Sequence, residues 1–293
     1  MAFQLQQDES VRRGIRRLAR KQIDKASEAL ASQTTDEAVH DARKRFKRVR
    51  AVVRLVRDEL GKREYRRENV RFRDAGRPLS EVRDARALIQ ALGALAERYA
   101  AEAPPQTFEA LRGELERRQR EVSREILDQG ETVGGVLDVL DDARQRVRKW
   151  QVGRGFSALA SGLKRTYKRG RLGRAAAADA TTENLHEWRK RVKDLWYHLE
   201  ILQPMRPEIL GELAEKAHRL ADLLGDDHDL AVLRSMLTEG AVSAGDEGPR
   251  VLALIDHRRA ELQQEAGPLG EELYRDRPKD LVARLEAYWR QWH

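Results

Sequence analysis

Apolar positions recur along almost the whole chain at spacings of three and four, the period of a helix with one buried face. Ala42, Phe46, Val49, Val53, Val56 and Leu60 form one such stripe, and Leu185, Trp188, Val192, Leu195, Leu199 and Leu202 another. Runs of β-branched and aromatic residues are missing, so the pattern predicts an all-α protein with no strand. Helices are expected over about 9–32, 35–60, 62–100 with a break at Arg77-Pro78, 105–129, 134–150, 154–178, 182–203, 206–239, 248–265 and 278–292. Thr34, with Glu37 three residues on, reads as a capping box opening the second helix. Gly225 reads as a turn or helix restart, and Gly267–Pro278 as a loop.

The series repeats. His40-Asp41-Ala42-Arg43-Lys44-Arg45-Phe46-Lys47 aligns with His186-Glu187-Trp188-Arg189-Lys190-Arg191-Val192-Lys193, five of eight positions identical, 146 residues apart. Gly14-Ile15-Arg16-Arg17 falls on Gly162-Leu163-Lys164-Arg165, Arg20 on Lys168, Arg73 on His218, and Arg83-Asp84 on His228-Asp229. This predicts two tandem helical bundles, 1–152 and 153–293; the period is too long for a solenoid.

Charge changes the picture. Of the 293 residues, 36% are charged, with a net charge of +8. Between Val11 and Arg57 there are fifteen Lys or Arg but only five Asp or Glu. One step round from its apolar stripe, the second helix carries His40, Arg43, Lys47, Arg50, Arg54 and Arg57 at spacings of 3, 4, 3, 4 and 3, with Lys44 at the edge. The repeat gives His186, Arg189, Lys190 and Lys193. Like charges so placed repel, and a merely solvated helix would intersperse Glu; a polyanion supplies the missing negative charge. Successive stripe residues rise about 4.5–6 Å, which suits a linear polymer charged every few ångströms. Arg offers a planar fork to phosphate oxygens and Lys a mobile point charge.

Cysteine is absent, which removes thiolate chemistry and suits a reducing, cytoplasmic setting. No apolar run approaches a membrane span, and Met1–Ser10 lacks a signal-peptide core, so no membrane association is expected. Three Glu-x-x-His patterns (Glu37/His40, Glu183/His186, Glu215/His218) admit a carboxylate–histidine metal enzyme as an alternative, but the further carboxylates such a site needs are not evident. Asp226-Asp227-His228-Asp229 is read as capping or bracing rather than catalytic. Nucleic acid is the other alternative, although the first stripe lacks the interleaved aromatics that stack bases. No metal or cofactor is expected, and no catalytic residue.

The paired His-x-x-Arg-Lys-x-x-Lys faces resemble the signature of the conserved-histidine α-helical domain, CHAD, as do Phe3-x-Leu5, the basic first helix, the Arg-Asp and His-Asp turns and the Trp-rich last helix. The resemblance implies two pseudo-twofold-related helical bundles with a basic groove or pore between them. It further implies binding of inorganic polyphosphate without turnover, localisation to polyphosphate granules and contact with granule proteins, nucleic acid being bound only non-specifically. The ligands it implies are His40, Arg43, Lys44, Lys47 and Arg50 in one half and His186, Arg189, Lys190 and Lys193 in the other. First-helix residues Arg16, Arg17, Arg20, Lys164, Arg165 and Lys168 would line the same groove, with Arg73 and His218. Relatives that carry a triphosphate-tunnel catalytic domain show alternating Glu-x-Glu strands; this chain has no such pattern, so that activity is not implied.

Overall fold

The computed structural model describes residues 3–32, 35–127 and 131–293; among them are eleven α-helices and no strand. The first six are α1 (Val11–Ser32), α2 (Asp36–Leu55), α3 (Arg57–Ala75), α4 (Ser80–Arg98), α5 (Gln106–Leu127) and α6 (Glu131–Val147). The remainder are α7 (Ser157–Ala176), α8 (Thr182–Leu202), α9 (Pro207–Thr238), α10 (Gly248–Leu273) and α11 (Pro278–Trp292). Packing repeats with the sequence: α1 lies on α2 and α6 as α7 lies on α8 and α11, and α4 meets α5 as α9 meets α10. Both predicted apolar stripes are buried, save Leu60, which is half-buried at the margin of the core. The core is continuous across position 152, so the halves are pressed together.

Four features differ from the pattern. The expected second helix stops at Leu55: Val56 leaves helical geometry (φ −106°, ψ 25°) and Gly61 kinks α3 with φ 75°. Asp58 and Glu59 then sit in the first turn of α3, where the helix dipole favours acids. Thr35 caps α2, its Oγ1 accepting the Ala38 N–H at 3.2 Å; Thr34, the expected cap, lies outside the described residues. α10 runs on through Pro268 to Leu273, because burial of Ala266, Gly270 and Leu273 outweighs the hydrogen bond that proline forgoes. Gly225 does not interrupt α9 either, although a glycine inside a helix costs about 1 kcal/mol relative to alanine.

α2 crosses α8 at the seam between the halves. Arg54 donates to Asp194 at 2.9 Å and Arg48 to Glu200 at 3.0 Å, all four side chains mostly buried. Between these pairs the fully buried His198 donates from Nε2 to the Ala51 carbonyl at 2.9 Å. Burial lowers the His198 pKa to about 4, so it is the neutral ring that makes this bond at pH 7. α4 and α9 also touch, which closes the opposite side of a cavity.

Candidate functional site

That cavity, of about 670 Å³, is walled by α2, α3 and α4 from one half and by α8 and α9 from the other. α2 supplies Arg43, Lys47, Arg50 and Arg54; α3 supplies Arg73; α4 supplies Arg83, Asp84 and Leu88. α8 supplies His186, Glu187, Arg189, Lys190, Arg191, Lys193, Asp194 and Tyr197, and α9 His228, Asp229 and Val232. Ten Lys or Arg therefore face four carboxylates, and the carboxylates are already engaged. Asp194 takes Arg54 and Arg191, Glu187 takes Lys190 and Arg191, and Asp84 and Asp229 flank Arg83 at 3.5 and 3.8 Å.

Four cations are left without a carboxylate at ion-pair distance among the described residues: Lys47, Arg50, Arg189 and Lys193. Arg50 donates to the neutral Asn69 amide at 3.2 Å, and Lys193 Nζ lies 5.3 Å from the Trp196 ring centre. Their crowding has an electrostatic signature. Burial, then Lys193, Arg43, Arg83 and Arg189, lower the Lys47 pKa to about 7. Burial and Arg189 lower Lys193 to about 8. His186 and His228 stack with ring centres 3.9 Å apart, each lowered to about 4 by burial and by cationic neighbours. An anion entering the cavity meets preorganised donors that have no carboxylate at ion-pair distance among the described residues, although Asp222 and Asp229 act on Lys193 and Arg189 from further off.

The implied ligand set divides. Arg43, Lys47, Arg50, Arg73, His186, Arg189, Lys190 and Lys193 are brought together on the cavity wall. His40 stays at the exposed rim, its pKa lowered by partial burial and then by Arg83, Lys47 and Lys44; Lys44 is exposed beside it. His218 is elsewhere: it stacks on Trp196 at 4.0 Å and sits 3.4 Å from Asp222.

The first-helix residues lie away from the cavity wall. Arg16 donates to the Trp150 carbonyl at 3.0 Å, Arg17 to Glu9 and to the Gln4 carbonyl, and Arg165 to Asp58. Arg20, Lys164 and Lys168 do not reach the cavity wall either. Arg16, Arg17 and Arg165 are thus engaged at chain junctions, whereas Arg169 of α7 lies close enough to Arg191, Asp194 and Arg54 of the wall to feel their charges. Arg57 likewise leaves the stripe when α2 ends, and packs over Tyr65 at 4.4 Å.

Arg83, Arg191 and His228 are wall residues that the periodicity of α2 and α8 did not assign to the ligand set. The matching of Arg83-Asp84 with His228-Asp229 was the signal that pointed to two of them. Of the acidic tetrad on α9, Asp227 braces α10 by accepting from Arg259 at 3.1 Å and Gln263 at 2.8 Å. Among the described residues, no group of three or more His, Asp or Glu is placed to hold a metal ion. None of their helices is long and apolar enough to cross a membrane.

In fold, the chain is similar to the crystal structure of the CHAD domain from the plant Ricinus communis, with a TM-score of 0.61. Identity there is 15%, over 98% of this chain and 95% of that chain. No curated protein matches the chain. The family model for the CHAD domain matches residues 14–238, from α1 through α9 and so across every helix that walls the cavity, and on that match this protein belongs to the CHAD domain family.

Proposed function

We propose that the cavity binds inorganic polyphosphate without turning it over, and that this binding places the protein on polyphosphate granules in the cytoplasm. In this reading 1–152 and 153–293 are the two repeat units, each lending one basic helix. One observation carries it: Lys47, Arg50, Arg189 and Lys193 share a cavity, and none of the four has a carboxylate at ion-pair distance among the described residues. Holding unpaired cations together in a low-dielectric site is costly, and a multiply charged anion offsets that cost. Nucleic acid fits less well, since Trp196, over which Lys193 lies, is already stacked on His218 and Tyr197.

The test is a titration with short and long polyphosphate, with RNA and sulfate as controls. Long polyphosphate should displace RNA at matched phosphate concentration, and sulfate should bind far more weakly. Displacement in the opposite sense would overturn the reading.

The lowered lysine values add a pH dependence. In the free protein Lys47 and Lys193 lose their protons as pH rises past about 7 and about 8, long before an ordinary lysine does. Bound phosphate holds those protons on. Affinity for long polyphosphate should therefore be greatest below pH 7 and fall through pH 7–9, with net proton uptake on binding at pH 8. Arg83 and Arg189 face both lysines and Arg43 faces Lys47, while Asp222 and Asp229 act on Lys193. Calorimetry in buffers of different ionisation enthalpy reads the proton directly; equal heats and a flat affinity across this range would refute the coupling.

A further inference from the structure

Gly225 lies well inside the 32-residue helix α9, where alanine would favour the helix more. Its spatial role concerns Arg189. A Cβ built on Gly225 would come 2.9 Å from Arg189 Nη2, 3.1 Å from Nε and 3.3 Å from Cζ. The guanidinium thus rests against bare backbone; its Nε, like that of Arg43, is buried and unpartnered among the described residues. Asp222, Asp226 and Asp229 act on it only from beyond ion-pair distance.

The first half solves the same packing differently. Leu79-Ser80 with Arg83-Asp84 falls on Leu224-Gly225 with His228-Asp229, so Ser80 stands where Gly225 does. Arg43, the counterpart of Arg189, donates to the Ser80 hydroxyl and, at 3.0 Å, to the Gly76 carbonyl. Its Nη2 also lies 3.9 Å from Asp84. One arginine is tethered by three partners and the other is seated but untied.

Building on the polyphosphate reading, we infer that Gly225 is a positioning residue: lacking a side chain, it seats the Arg189 guanidinium on the cavity wall with its donors free for a phosphate. A methyl group there meets the far end of a flexible side chain, so Gly225→Ala displaces the arginine without obstructing the fold.

The test is a double-mutant cycle of Gly225→Ala with Arg189→Ala, read by affinity for long polyphosphate, its salt dependence and thermal unfolding. Gly225→Ala should weaken binding about tenfold, the scale of one charge-assisted contact. It should also flatten the slope of log K against log salt by about one contact. The unfolding midpoint should hold or rise. In the Arg189→Ala background the same substitution should change neither affinity nor slope, which a structural lesion would not reproduce. Wild-type affinity in Gly225→Ala while Arg189→Ala binds weakly, or a loss that persists without Arg189, would overturn the inference and leave the polyphosphate reading standing. Absence of binding by the unsubstituted protein would overturn both.

Discussion

Lys47→Glu combined with Lys193→Glu is expected to weaken polyphosphate binding by at least about a hundredfold while the far-UV circular dichroism stays that of an all-helical protein. Neither lysine pairs with a carboxylate among the described residues, so the exchange breaks no internal ion pair. A glutamate at 47 instead lands among Arg43, Arg83 and Arg189, the groups that help hold the Lys47 pKa at about 7, and one at 193 lands near Arg189 and Arg83 with Asp222 and Asp229 beyond ion-pair distance. Each would pair with these arginines and occupy the place of the ligand. His40→Ala should cost much less, because that ring sits at the exposed rim. Titration calorimetry on the double variant gives the answer; an affinity equal to that of the unsubstituted protein is the outcome that rejects the cavity as the binding site.

Salt should act nearly as strongly. If only the four cations without carboxylate partners engage phosphate, log K should fall against log salt with a slope of roughly −3, taking the single-strand value per contact. Between 50 and 200 mM salt that is a loss of roughly fifty-fold. Engagement of Arg43, Arg83 and Lys190 as well would steepen it. A nearly level response would mean that apolar or hydrogen-bonding contacts dominate, and the electrostatic account would be wrong.

What could be read from the sequence follows the range of the forces involved. The faces of α2 and α8 are local facts of a 3.6-residue period, and Arg43, Lys47, Arg50, His186, Arg189, Lys190 and Lys193 line one cavity. The period says nothing of a backbone turn at Val56, so Arg57 was carried one turn too far. The charge of α1 is plain in its composition, but its destination depends on the Trp150 carbonyl, 134 residues away. Arg83 and His228 reach the cavity only because α4 packs on α9, a long-range contact with no local signature. Gly225 shows the ambiguity of a glycine: the residue that ends one helix lets another pass close to a neighbour's side chain.

The ion pairs at the α2–α8 crossing carry a consequence for how the repeat became one molecule. By the 146-residue offset Arg48 and Asp194 hold matching places, as do Arg54 and Glu200. Two copies of the first unit, joined in the same way, would set Arg48 against Arg54 twice over; two copies of the second would set Asp194 against Glu200. Each unit rejects its own likeness and accepts the other. The two ion pairs thus work as a lock and key that only unlike halves can complete.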